Sequence, residues 1–184
     1  MNNLLKSEAI RHGDRLQIIA SHRVQDLESD IKQFAQSEEL NDFQRWIIDD
    51  LYEYSVPSLD FPVQSIILMA IAHPFYADVI FVRGERLGVQ SGLSEYGRNT
   101  ITYVDGLGSN FSLAAYFSAM PCEDDKWRNV VTAEMCHSCS ICIDNCPTGA
   151  IRKDRFLIDN QRCLSAMNEW YEAIPRNIKA LMNA

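Results

Sequence analysis

The chain has 184 residues and is 47% hydrophobic, which is typical of one globular domain with a small appendix and excludes a mainly disordered protein. Its 25 acidic and 17 basic side chains give a formal net charge of −8, which argues against nucleic acid as a partner of this segment. The longest apolar run, Ile66 to Ala72, is about a third of a membrane span, and the N-terminus lacks a signal-peptide core. We therefore expect no membrane association and a cytoplasmic location.

The first 56 residues or so predict helices, because apolar residues recur at helical spacing along two stretches. They are Val24, Leu27, Ile31 and Phe34 in the first stretch, and Phe43, Trp46, Ile47, Leu51 and Tyr54 in the second. Asn41 and Gln44 have the spacing of a capping box at the start of the second helix. We interpret both stretches as core helices without a catalytic role.

The segment after Pro57 to Pro62 predicts strands. Residues 63–72 are rich in Ile and do not alternate with polar residues, which is typical of a strand buried on both faces. A second short strand is predicted at Asp78 to Val82. These strands indicate a mixed α/β core.

A hairpin is predicted from residues 100–104 and 111–118, because Asp105, Gly106 and Gly108 between them favour a tight turn. Together the elements predict an α+β protein with N-terminal helices and a mixed α/β core in residues 1–121. Residues 122–184 are predicted to form a ferredoxin-like iron–sulfur segment.

Four cysteines lie in one short run with the spacing Cys-x2-Cys-x2-Cys-x3-Cys-Pro, at Cys136, Cys139, Cys142 and Cys146. Thiols this close cannot easily pair as disulfides without strain. Three tightly spaced thiolates can instead bind different irons of a cubane cluster, and the fourth in such runs normally binds another cluster. A zinc knuckle is the alternative, although zinc sites usually place two pairs on separate loops. We predict a [4Fe-4S] site that transfers electrons.

The residues around this run give further expectations. Pro147 and Gly149 favour a turn directly after Cys146, and His137 is either a residue that tunes the cluster or an exposed side chain. Cys122 has no cysteine or histidine at ligand spacing, so we interpret it as a small hydrophobic residue.

Cys163 follows a predicted short strand at residues 156–158, at the start of a predicted helix with Asp159 as N-cap. Its thiol is either a ligand of the second cluster or a lone buried group. The spacing alone leaves both interpretations open.

Three stretches resemble the epoxyqueuosine reductase family. They are CHSCSICIDNCPTGAI from residue 136, DRFLIDNQRCLS from residue 154 and SGLSEYGRNTITYVDGLGS from residue 91, and together they lie within about two-fifths of the chain. VQSIILMAIAHP, from residue 63, also fits the first buried strand of that family, with lower specificity. The resemblance implies a cobalamin-dependent reductase in which electrons pass through two [4Fe-4S] clusters to a corrinoid.

The family pattern implies a division of the cysteines between the two clusters. Cys136, Cys139 and Cys142 would hold one cluster, and Cys146 with Cys163 would belong to the other. The family's downstream cysteine run, which supplies the last three thiolates, does not occur before Ala184. We therefore expect a further chain segment or a subunit to supply the missing ligands, and a protein or small reductant to donate the electrons.

The family pattern also suggests where cobalamin would bind. The candidate loop contains Tyr96, Gly97, Arg98 and Asn99, with Ser91 to Leu93 before it, and the alternative is an ordinary glycine-containing loop. The join after Val82 is shorter than in the family, which carries its proposed acid/base aspartate there, so no catalytic residue is assigned. Two other functions stay open: a non-catalytic electron-transfer or interaction module, and a truncated relative that folds without a cluster.

Overall fold

The structure is a computed structural model that describes residues 2–37, 40–51, 53–72 and 84–166. Its α-helices are α1 (Asn2–Arg11), α2 (Arg23–Ser37), α3 (Asp42–Trp46), α4 (Glu85–Gln90) and α5 (Ile141–Asp144), with a π-helical turn at Ile47–Leu51 and a 3-10 turn at Glu134–His137. Its strands are β1 (Arg15–Ala20), β2 (Ser65–Ala72), β3 (Glu95–Tyr96), β4 (Thr102–Tyr103) and β5 (Phe111–Ser118). Helices and antiparallel sheets occur together, so the α+β prediction is confirmed.

The larger sheet has the order β1-β2-β5 and is antiparallel throughout. The central strand β2 confirms the strand predicted at residues 63–72. Ile66, Leu68 and Ala70 on one face of β2 are at most 2% exposed, while Ile67 and Met69 on the other face are partly covered. Because both faces are shielded from water, the sequence of β2 carries no polar alternation.

The prediction of helices from residue 1 to about 56 is wrong at β1. Gly13 has a φ of +86°, a conformation that glycine adopts without strain, and it ends α1. The chain then pairs with β2 along all six residues of β1, which buries Ile18 and Ile19. Pairing with a distant strand therefore overrides the local pattern.

The later part of the helical prediction is confirmed in α2 and α3. Val24, Leu27 and Ile31 are buried along one face of α2. The capping box is also confirmed, because the Gln44 backbone N–H donates to Asn41 Oδ1 at 2.9 Å and the Asn41 N–H donates to Gln44 Oε1 at 3.1 Å. The helical segment ends at Leu51, so Tyr54 lies outside it.

The predicted hairpin between residues 100–104 and 111–118 is wrong. Its turn does form, since Val104 and Gly108 exchange two backbone hydrogen bonds of 2.9 Å. However, β4 pairs with β3, and β5 pairs with β2 over eight residues. The long apolar strand β5 thereby gains a partner of equal length, which the two-residue β4 does not offer. The strand predicted at Asp78 to Val82 lies outside the described residues.

The chain divides into two compact units. The first contains residues 1–28, 54–97 and 101–133, and therefore both sheets. The second contains residues 29–53, 98–100 and 134–184, and therefore α3 and the cysteine run. None of the helices within the described ranges is long and apolar enough to cross a membrane.

Candidate iron–sulfur centre

The cysteine run folds as a succession of tight turns. Cys136 lies in the 3-10 turn, Cys142 lies in α5, and the Cys146 backbone N–H donates to Ile143 O at 3.2 Å directly after α5. Cys139 is exposed, whereas the other thiols of the run are half-buried, and all are free. The run therefore has a turn-rich backbone, which is compatible with cysteines separated by two residues binding one compact group.

Cys146 has the most distinctive surroundings of these thiols. Backbone N–H groups of Ile151, Thr148 and Ala150 point at its sulfur and lower the pKa of the Cys146 thiol to about 7. The Thr148 hydroxyl lies 3.8 Å from the sulfur and also lowers this pKa. Gly149 has a φ of +65° and makes the predicted turn that folds these amides back toward Cys146. Hydrogen bonds of this kind stabilise a thiolate, which is the form that binds iron.

We predict that Cys146 in the metal-free, reduced protein reacts with iodoacetamide at lower pH than an ordinary thiol. Because only the thiolate reacts, its rate should be half-maximal near the lowered pKa, whereas a free cysteine reaches this point at about pH 8.5. Mass spectrometry of peptides alkylated at a series of pH values measures this profile. Cys122 is the internal comparison, since burial raises the pKa of its thiol. Equal profiles for the two residues would contradict the account of the Cys146 turn.

Cys136 is held from outside the run by Arg98. Arg98 Nη2 donates to the backbone carbonyl of Cys136 at 2.8 Å, across 38 positions of sequence. The Arg98 Nε atom is buried and has no hydrogen-bond partner within the described part of the chain. Residues 98–100 belong to the same compact unit as the cysteine run, so this contact lies within that unit.

The other residues of the predicted cofactor loop lie as follows. Tyr96 is in β3 and is 7% exposed. Its backbone N–H donates to Val131 O, and its carbonyl accepts from the Ala133 N–H. Gly97 is buried, and its N–H donates to Ile101 O at 2.7 Å. Asn99 is half-buried. The protein's own residues therefore cover the first two positions, and cobalamin contact at this loop stays a prediction.

The segment before Cys163 differs from its predicted form. Residues 156–158 form no strand; instead Phe156 packs edge-on against Phe34, with ring centroids 6.4 Å apart, and Ile158 O accepts from Gln44 Nε2 at 2.9 Å. These contacts tie the segment to α2 and α3 rather than to a sheet.

The turn that leads to Cys163 is fixed by Asp159, which was predicted as an N-cap but lies five residues before the first helical residue, Leu164. The Asp159 carboxylate accepts from the Gln161 N–H at 3.1 Å, and its carbonyl accepts from the Cys163 N–H at 3.0 Å. Cys163 is half-buried and free. Helical residues follow at 164–166, and the later positions of the predicted helix, from Met167, lie outside the described residues.

The thiols do not converge on one point. Among the residues that the structure describes, no three Cys, His, Asp or Glu side chains are grouped to hold a single metal ion. In a cubane each thiolate binds a different iron, so its ligands need not converge as those of one tetrahedral zinc must. These residues fit an iron–sulfur cluster. The thiols are free to bind iron, and backbone amides stabilise the thiolate of Cys146. The buried Nε–H of Arg98 can donate to a sulfur of such a cluster.

Cys122 lies in the first unit, and His137 directly follows Cys136 in the 3-10 turn. The Cys122 thiol donates to Ile18 O at 3.5 Å in the first unit, and burial is the main cause that raises its pKa. It is therefore a neutral packed thiol. His137 is exposed at the end of the 3-10 turn.

Comparison with protein families identifies the class of this segment. Residues 135–184 match the 4Fe-4S double cluster binding domain. The match begins one residue before Cys136 and includes all five predicted ligands. It confirms the prediction of [4Fe-4S] binding and an electron-transfer role for this part of the chain.

Comparison with curated proteins confirms the resemblance to epoxyqueuosine reductases. The chain is 34% identical over 108 residues to that of Cyclobacterium marinum, covering 58% of this chain and 34% of the relative. It is 32% identical over 108 residues to that of Pseudomonas aeruginosa, covering 58% and 29%. A tetrachloroethene reductive dehalogenase of Desulfitobacterium hafniense is 31% identical over 88 residues, covering 47% and 16%.

The chain thus spans about a third or less of the length of these relatives. No solved structure matches it significantly.

Proposed function

We propose that this chain is the electron-transfer part of a cytoplasmic oxidoreductase similar to epoxyqueuosine reductase. Cys136, Cys139 and Cys142 hold one [4Fe-4S] cluster, and Cys146 with Cys163 contributes to a second, in a ferredoxin-like arrangement. The observation that carries this proposal is the match of residues 135–184 to a double-cluster domain over five free thiols. A bound cluster supplies one-electron chemistry.

The protein's own residues have separate tasks in this function. The amides of the turn after Cys146 hold its thiolate, and the Arg98 contact fixes the backbone at Cys136. Cys139 is exposed, so an electron donor, either a protein or a small reductant, would approach a bound cluster at this ligand. Five thiols are fewer than two four-iron clusters bind, so a further chain segment or subunit supplies the other ligands.

Anaerobic reconstitution of the full chain with iron and sulfide tests this function. We expect a brown protein whose visible absorption bleaches on reduction with dithionite, and whose reduced form gives the EPR signal of a [4Fe-4S] cluster. The cluster should stay bound through gel filtration. A protein that emerges colourless and without iron after this treatment would contradict the proposal.

A second candidate, a cluster-only electron-transfer module without cobalamin, is favoured by the covered positions of Tyr96 and Gly97. Adding hydroxocobalamin to the reconstituted protein separates the two functions. Corrinoid absorption that remains with the protein after gel filtration supports the complete reductase. Retained iron with loss of all corrinoid supports the cluster-only module.

A further inference from the structure

Arg98 lies at a bend of the chain that places its side chain beside the cysteine run. Gly97 N–H donates to Ile101 O across the bend, and Thr100 has a φ of +62°, the one positive value among the non-glycine residues that the structure describes. A threonine in this conformation is strained, so the surrounding contacts must hold the bend. The Arg98 hydrogen bond to Cys136 O is one such contact.

The guanidinium of Arg98 has a fixed shape that limits where its other donor points. The group is planar, and on one edge Nε–H and one Nη2–H point in parallel, as in a side-on arginine–carboxylate pair. Nη2 bonds to Cys136 O, so an acceptor for Nε on the same edge would lie next to that carbonyl. Within the described residues no protein atom fills this position, although Nε is buried.

A buried donor without an acceptor is unfavourable and rare in native proteins. The simplest acceptor beside the Cys136 carbonyl is an inorganic sulfide of the cluster that Cys136 would bind. Hydrogen bonds and positive charge at the sulfurs favour the reduced cluster, which carries one more negative charge.

We propose that Arg98 is a positioning residue that raises the reduction potential of the cluster bound by Cys136, through Nη2 on the Cys136 carbonyl and Nε on a cluster sulfur. This role rests on the proposed cluster binding. It also assigns Arg98 to the cluster rather than to cobalamin, which was its predicted partner in the loop of Tyr96 to Asn99.

The test compares the midpoint potential of the reconstituted Arg98→Gln chain with that of the wild type, by EPR-monitored redox titration. At the wild-type midpoint we expect the ratio of reduced to oxidised cluster to fall about tenfold, which is about 59 mV for one electron. Arg98→Lys keeps the positive charge but loses the two parallel N–H donors, so its midpoint potential should also fall, but by less. Arg45→Gln removes an exposed charge from the same unit and should leave the midpoint unchanged.

The outcomes separate this inference from the proposed function. A wild-type chain that binds no cluster contradicts the proposed function. A wild-type cluster whose midpoint is unaltered in fully loaded Arg98→Gln or Arg98→Lys overturns only the role of Arg98.

If neither variant binds a cluster, pulsed EPR of the reduced wild type labelled with ¹⁵N-arginine decides the question. A ¹⁵N coupling to the cluster spin that persists when Arg152, Arg155 and Arg162 are each replaced by Gln supports the Nε–H to sulfur contact. Absence of any such coupling overturns it.

Discussion

Cys136→Ala is expected to remove the first cluster and its EPR signal from the reconstituted chain. This variant removes one of the three thiolates assigned to the cluster, and the alanine side chain has no atom that can bind iron. The iron content should fall by about four atoms per chain relative to the wild type. Iron analysis and the EPR spectrum of the dithionite-reduced variant measure both effects.

Cys122→Ala is the matched control, because it removes the same chemical group from the first unit. Its thiol bonds to Ile18 O and lies away from the cysteine run in sequence. We expect this variant to keep the wild-type iron content and spectrum. Equal losses in the two variants, or none in Cys136→Ala, would contradict the assignment of Cys136 as a ligand.

Leu68→Ala is expected to lower the free energy of unfolding by about 2–5 kcal/mol. Leu68 is 2% exposed at the middle of β2, where it pairs in register with Gln17 of β1 and Ala115 of β5. Truncation there removes buried surface and leaves a cavity on the buried face of the sheet, where β2 is paired on both sides and has little freedom to move and close it. Urea unfolding of the cluster-free protein, followed by circular dichroism, gives the difference.

Leu4→Ala makes the same chemical change at a position in α1 that is 69% exposed. Its effect should stay within about 0.5 kcal/mol, as for most surface substitutions. A Leu68→Ala variant that unfolds at the same urea concentration as Leu4→Ala would show that β2 is not the centre of the core.

Local patterns in the sequence were sufficient for several elements. The strand β2, the helix α2 and the capping box of Asn41 and Gln44 were predicted correctly, because each depends on residues close together in the chain. The turn at residues 104–108 was also predicted. Its glycines and aspartate determine the bend, but they carry no information about which strands the bend connects.

Long-range pairing accounts for the errors. β1 was predicted as helix. This prediction failed because its six residues become a strand only through pairing with β2, about 50 positions later. The predicted hairpin failed for the same reason, since β5 pairs with β2 rather than with its neighbour in sequence. The predicted strand at residues 156–158 is replaced by contacts of Phe156 and Ile158 with α2 and α3.

The same distinction between local patterns and long-range contacts applies to the candidate site. The cysteine run was recognised from sequence because its ligands are adjacent and their spacing matches the geometry of a cubane. The contact from Arg98 to Cys136 O joins residues 38 positions apart, and no local pattern marks it. Gly149 did mark the turn after Cys146, but the three amides directed at the sulfur emerge only from the backbone path.

Counting iron and acid-labile sulfide per chain in protein reconstituted without oxygen tests the iron–sulfur assignment most directly. A [4Fe-4S] cluster contains the two elements in equal amounts, whereas a zinc knuckle contains no sulfide. We predict iron and sulfide in a one-to-one ratio. In Cys136→Ala both elements should fall by the same amount. Zinc that is bound in place of iron, or iron that is bound without sulfide, would contradict the account.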